Sequence, residues 1–243
     1  MIKAIGFDLD DTLYDRNLIY QQVFEEMKKY IQHKICFEEF NPVYQDYSKK
    51  YYQAFINGNC SQEHYQLQRT IDAFDTFECK IDRPAAQRFL DLYNHYKSKL
   101  SLRPGLSPLL ESLQAQGFDL FVLTNGASSG QWPKIQELQL ENYFSKKRIF
   151  VSEELNCSKP DNEIFQKVTE RLGYQAEEIL YIGDDWTNDI EASLNNQWYA
   201  LYLNVHQHPA PYQDAKLKIV ENAEYLSDSL QTFLEETKTT VQF

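Results

Sequence analysis

The sequence predicts an α/β fold with a mainly parallel sheet, interrupted by an inserted all-helical domain. Short apolar runs that end in acidic or polar residues alternate with segments of helical periodicity through the second half of the chain. Between the first such run and the second lies a stretch of residues 15–100 that is nearly all helix-like, far too long for a simple strand-to-helix connection. Residues 1–14 and 101–243 are therefore expected to form the core, and residues 15–100 the inserted helical domain.

The elements follow in order. Ile2 to Asp8 is a short apolar run closing in carboxylates, as a buried strand would. Within the insertion, Leu18 to Ile31 and Ala86 to Tyr96 carry apolar residues at helical spacing, and the many aromatics there are expected to build the insertion's own interior. Arg103-Pro104-Gly105 marks the return to the core. Four more strands are expected at Phe118 to Thr124, Arg148 to Ser152, Ile179 to Ile182 and Trp198 to Leu203. Helical patterns lie at Ser107 to Gln116, Ser129 to Leu138, Asp161 to Leu172 and Thr187 to Asn195.

Composition narrows the function classes. Hydrophobic residues make up 42% of 243 residues, enough for a substantial core. A net charge of -12 argues against nucleic-acid polymers and acidic membranes, which need a basic face. Cys36, Cys60, Cys79 and Cys157 form no CxxC pair, so free thiols in a reducing, cytoplasmic setting are expected. The N-terminal apolar run is too short for a signal peptide or a membrane span. The five histidines, His33, His64, His95, His206 and His208, are read as surface or structural, with His206 and His208 as weak metal candidates.

In open α/β sheets ligands bind beyond the carboxyl ends of the strands. Asp8, Thr124 and Asp184 all close strands and so can converge. Asp8 and Asp10 are two apart, and in an extended segment would point to one side. Two close carboxylates repel, unless a cation intervenes or one takes up a proton. Asp184, Asp185 and Asp189 form a second acidic cluster, with Asp184 the best placed to ligate a magnesium ion, which favours oxygen donors. Lys159 precedes Pro160 at a helix start and could hold an anionic group. Each feature also has an ordinary reading: solvated loop acids, an Asp189 that complements a helix dipole, a solvated lysine, a polar strand end.

Taken together and in order, these segments resemble the haloacid dehalogenase superfamily. Phe7-Asp8-Leu9-Asp10-Asp11-Thr12-Leu13 is similar to its DxDxT motif, and Leu123-Thr124-Asn125-Gly126 to its second motif. Ser158-Lys159-Pro160-Asp161 is similar to the lysine motif, and Gly183-Asp184-Asp185-Trp186-Thr187-Asn188-Asp189-Ile190 to the acidic motif. The resemblance implies a Rossmann-like core with a helical cap inserted after the first strand. It implies that Asp8 attacks phosphorus to form an aspartyl-phosphate, and that Asp10 protonates the leaving oxygen and then activates water. Thr124 and Lys159 would stabilise the phosphoryl oxygens, with help from the backbone amide of Asn125. Asp8, the main-chain carbonyl of Asp10, and Asp184 would bind Mg2+, with Asp189 and Asp185 in support.

The expected activity is hydrolysis of small-molecule phosphate esters. Dehalogenases of the superfamily lack the second aspartate and need no magnesium, so Asp10 favours a phosphatase. The segments around Asp10 and Thr124 are similar to those of nucleotidase-like members. The alternatives are a phosphomutase, disfavoured by Asp11 where that family usually has Gly, and a non-catalytic binding module on the same fold. A monomer and a homodimer are both compatible with the sequence.

Overall fold

The computed structural model describes residues 1–31 and 34–240. The chain divides into two compact units, Arg16–Lys99 on one side and Met1–Asp15 with Leu100–Phe243 on the other. The second of these holds one six-stranded parallel sheet, β1 (Ala4–Phe7), β2 (Asp119–Thr124), β3 (Ile149–Val151), β4 (Ile179–Gly183), β5 (Tyr199–Leu203) and β6 (Leu217–Val220), in the order β3-β2-β1-β4-β5-β6. Parallel sheets are covered on both faces, which is why these strands read as continuous apolar runs. Every residue of β1 and β4 is buried.

The Arg16–Lys99 unit is helical: α1 (Arg16–Met27), α2 (Phe37–Ile56), α3 (Gln62–Asp75) and α4 (Arg83–Lys97). Local chemistry starts two of these helices. Ser61 Oγ accepts from the amide of His64, and Asp82 Oδ1 accepts from that of Ala85, with Pro84 in the first turn. Phe24, Phe40, Tyr44, Phe74 and Phe89 pack together in its interior, with the Phe40 and Phe74 ring centroids 4.4 Å apart.

Six further helices complete the α/β unit: α5 (Leu106–Ala115), α6 (Ser128–Glu137), α7 (Ser152–Leu155), α8 (Asn162–Leu172), α9 (Ala192–Asn195) and α10 (Leu226–Thr240). On α8, Ile164, Phe165, Val168 and Leu172 fall on one face and join the core formed by Phe121, Phe150, Tyr181 and Trp198. The Phe121 ring lies directly over Gly6, where an added Cβ would sit 2.1 Å from its Cζ atom, so the central strand needs a glycine there. Arg103 ties the chain leaving β1 to the chain that returns: its amide donates to Leu13 O (2.9 Å), Nη2 to Asp11 O (2.8 Å) and Nη1 to Asp15 Oδ2 (3.0 Å).

Two parts of the fold differ from the sequence reading. The helix expected over Thr187 to Asn195 begins as a π-helical turn, Trp186–Glu191, before α9. The amide of Ile190 reaches back five residues to Asp185 O, and the wider turn turns Asp189 inward, where it is buried. Beyond Leu203 no element was expected, yet β6 extends the sheet and α10 packs on it. Among the described residues no helix is long and apolar enough to cross a membrane, and the four cysteines are free thiols. His33 lies outside the described residues.

Candidate active site

The strand register delivers the first site residue. Phe7 stands opposite Val122 on one side and Ile182 on the other, and the amide of Asp8 donates to Ile182 O at 2.9 Å. Asp8 thus leaves the middle of the sheet at the carboxyl ends of β2 and β4, where ligand sites of such sheets form.

Lys159 organises what surrounds it. Its buried Nζ lies 2.7 Å from Asp8 Oδ1, 2.6 Å from Asp189 Oδ1, 2.9 Å from Tyr181 Oη and 3.3 Å from Leu123 O. The Tyr181 hydroxyl donates to Leu123 O at 2.5 Å, leaving its oxygen lone pairs toward the ammonium. Two buried acids thus share one cation. Burial pushes Asp8 up to about 7; Lys159 opposes this, while Asp189 and Asp10 add to it. Burial likewise pushes Asp189 up to about 6, against the pull of Lys159. Burial on its own would lower the Lys159 pKa, but the Asp189 and Asp8 carboxylates carry it well above the usual lysine range. The backbone of Lys159 is held in turn. Asn125 Nδ2 donates to Lys159 O (2.7 Å), and the Lys159 amide donates to Asn125 Oδ1 (2.9 Å), beside a cis Lys159–Pro160 peptide. The Asn125 side chain thus holds the Lys159 backbone, in addition to the backbone-amide role that the resemblance implies.

Asp184 also lies close to Asp8. Carboxylate oxygens of Asp8, Asp184 and Asp189 all fall within 4.8 Å of one another. Thr12 Oγ1 donates to Asp184 Oδ1 at 3.2 Å. His206 Nε2 stands 3.5 Å from Asp184 Oδ2 and 3.8 Å from Asp11 Oδ2, and those two carboxylates, Asp11 foremost, push its pKa up to about 9. Of the two histidines named as weak metal candidates, His206 thus lies beside the acidic cluster, in a group with Asp11 and Asp184 that could hold a metal ion. Asp185 caps the π-helical turn, its Oδ1 accepting from the amide of Asn188 at 2.8 Å, while its own amide donates to Asp189 Oδ2 at 3.0 Å. Gly183 is needed because an added Cβ would come 2.4 Å from that Asp189 oxygen. Asp189 is thus a buried partner of Lys159, whereas the sequence also allowed a role in complementing a helix dipole.

Asp10 does not lie in extended chain beside Asp8. The backbone turns after β1, with Asp11 in the left-handed region at φ 59°, a conformation aspartate tolerates. The turn presents the Asp10 carboxylate to α6. Lys134 Nζ donates to Asp10 Oδ1 (2.6 Å) and Oδ2 (2.8 Å), Gln131 Nε2 donates to Oδ2 (3.1 Å), and the Tyr14 hydroxyl donates to Oδ1. Gln131 Nε2 also lies 2.6 Å from Thr124 Oγ1 and 2.8 Å from Asn125 O. Because Thr124 accepts there, its hydroxyl proton remains available to donate. Lys134 and Gln131 escaped the sequence reading. Their only signal was two polar residues three apart on the helix that follows Thr124-Asn125-Gly126, a spacing that places both on one helical face.

The arrangement provides a carboxylate beside a lysine ammonium, a second carboxylate held by its own donors, a hydroxyl, and acidic oxygens that can hold a divalent metal ion. Comparison with known proteins agrees with it. Residues 2–195 match the family described as haloacid dehalogenase-like hydrolase. The chain is 31% identical over 201 residues to a glyceraldehyde 3-phosphate phosphatase of Methanocaldococcus jannaschii, covering 79% of this chain and 80% of that protein. It is 27% identical over 206 residues to a pyrimidine 5′-nucleotidase of Streptococcus pneumoniae, covering 84% of each. Among solved structures it is similar to the HAD-hydrolase YfnB of Bacillus subtilis, a magnesium-bound form, with a TM-score of 0.67 and 25% identity over 94% of this chain and 98% of that one. The chain belongs to the haloacid dehalogenase-like hydrolases. Within that family, the two relatives named above are a phosphatase and a nucleotidase.

Proposed function

We propose that the protein is a magnesium-dependent phosphatase of small-molecule phosphate monoesters that works through an aspartyl-phosphate on Asp8. One observation carries this reading: Asp8 is buried against Lys159, with Asp184 and Asp189 oxygens close by, while Asp10 is held separately by its own set of donors. One carboxylate is thereby equipped as nucleophile and the other as proton carrier.

The acidic oxygens fit a hard divalent cation. Asp8, Asp184 and Asp189 bring three carboxylates to one place, and burial pushes Asp8 up to about 7, so its charged form needs more positive charge than Lys159 provides. Asp8, Asp184 and the main-chain carbonyl of Asp10 are assigned to hold Mg2+, with Asp189 in support. When bound, it offsets the repulsion between a carboxylate nucleophile and an anionic phosphoryl group.

Asp8 forms the new bond to phosphorus while the ester P–O bond breaks, and Asp10, which enters this step protonated, gives that proton to the departing oxygen. Asp10 then takes a proton from the water that attacks the aspartyl-phosphate, which releases phosphate and restores Asp8. Lys159 and the Thr124 hydroxyl neutralise charge on the phosphoryl oxygens, the main source of catalysis in such transfers. The relatives' activities on a triose phosphate and on nucleotides support small phosphate monoesters as the substrate class, nucleotides among them.

The test is phosphate release across nucleotides and sugar phosphates, with and without Mg2+, by the wild type and Asp8→Asn. We expect metal-dependent turnover in the wild type and a loss on the order of 10⁶-fold in the variant, the scale at which nucleophile deletions act. Full turnover by pure Asp8→Asn sinks the covalent mechanism.

A further inference from the structure

Asp10 accepts from Tyr14, Gln131 and Lys134. The Tyr14 hydroxyl comes from the turn that carries Asp10 itself, and Gln131 and Lys134 come from successive turns of α6. Both carboxylate oxygens accept protons from Lys134, and the Oδ2 atom accepts from Gln131 as well. A carboxylate held through both oxygens cannot rotate about its terminal bond without breaking a charge-assisted hydrogen bond. Gln131 extends the constraint, since the same Nε2 meets Thr124 Oγ1 and Asn125 O. One helical face thus sets the Asp10 carboxylate and the Thr124 hydroxyl relative to each other.

We propose that Lys134 is a positioning residue of the reaction: it fixes the Asp10 carboxylate in the orientation from which Asp10 exchanges protons with the leaving oxygen and with water, and Gln131 locks that orientation to Thr124. The proposal rests on the role given to Asp10 above. Two other roles are open to a lysine at such a site. A cation that binds substrate would present its ammonium to the ligand, but the Lys134 ammonium is largely buried and its protons go to both Asp10 oxygens. A lysine that only holds the fold together would have no reason to converge with Gln131 and Tyr14 on one carboxylate.

The test uses the full chain with Lys134→Met and Lys134→Arg, each checked for folding by circular dichroism and thermal melting. Two substrates are compared, an alkyl phosphate, whose leaving oxygen needs a proton, and 2,4-dinitrophenyl phosphate, whose leaving group does not. For Lys134→Met on the alkyl ester we expect kcat to fall by about 10- to 100-fold, within the range that general acid–base catalysis supplies. KM should stay nearly constant, Lys134→Arg should recover most of the loss, and the first-turnover burst of dinitrophenolate should survive. Equal loss of the first turnover on both esters would mark a structural role and overturn the proposal. So would a raised KM at unchanged kcat, or no loss at all. A crystal structure of Lys134→Met decides independently of turnover. An Asp10 carboxylate turned away from Gln131 supports the proposal, and one left in place overturns it. Should the wild type release phosphate from no ester, the proposed function fails, and the crystal structure still judges the positioning role.

Discussion

Two lysines in this unit each meet an aspartate of the same short segment, and they do so in different surroundings. The Lys159 and Asp8 side chains are 2% and 10% exposed, whereas those of Lys134 and Asp10 are 10% and 23% exposed. Lys159 also serves Asp189, so one cation stands between two buried acids. Asp10 has further donors in Tyr14 and Gln131 and lies nearer to water. In a buried setting, removing one partner strands the other's charge; in a wetter one, water and neighbouring donors take over. The first lysine should therefore matter for both stability and chemistry, and the second mainly for chemistry.

The sharpest way to break this contrast is Lys159→Met. It leaves Asp8 and Asp189 buried without their cation, and the unfolding free energy in metal-free buffer should drop by about 3–5 kcal/mol, the usual cost of breaking a buried pair from one side. A drop well below that in urea titrations would mean the site readily admits water. Next comes Gln131→Leu, which unlinks Asp10 from Thr124. A loss of about tenfold in kcat is expected, equivalent to roughly 1.4 kcal/mol of barrier, with KM little changed in steady-state assays. Lys134→Met should cost less stability than Lys159→Met despite its effect on turnover, because Asp10 keeps Tyr14 and Gln131 as donors and is more exposed than Asp8. A loss matching that of Lys159→Met would erase the distinction.

The smallest effect concerns His206. Its folded pKa is raised above its ordinary value, to about 9, by Asp11 and Asp184. Its contribution is thus present in full below the unfolded histidine pKa of about 6.5 and is lost as pH rises through the folded value. In EDTA, the stability difference between wild type and His206→Gln should be largest near pH 6 and close toward pH 9–10. Thermal melts across that range would show it; a constant gap would mean the charge is not what matters.

What could be read in advance followed from local pattern. Strands β1, β2 and β4 are apolar on both faces and announce themselves, and their acidic or polar ends pointed to Asp8, Thr124 and Asp184. Strand β6, Leu217–Val220, is an edge strand with Lys218 and Ile219 only half-buried, so its run is weak. Helix α10 had a usable signal in Leu226, Leu230, Phe233 and Leu234, all buried, at helical spacing. The partners of Asp10 lay beyond local pattern, because Lys134 stands 124 residues away and meets it only through the fold. The same is true of His206 with Asp11 and Asp184. The expectation that Asp8 and Asp10 share a side assumed extended chain, whereas the chain already bends at Leu9 and turns at Asp10.

The bonds of Arg103 have a consequence for how this chain is assembled. Arg103 grips Leu13, Asp11 and Asp15 at the point where the polypeptide departs from β1 and comes back. The two ends of the intervening segment are thus pinned to each other by the core itself. Closing a long loop costs entropy that grows only slowly with its length. A gate of this kind lets the segment be lengthened, shortened or exchanged while β1 and β2 keep their register. The seat of Asp8 and the helical unit Arg16–Lys99 are, in that sense, separately editable parts of one chain.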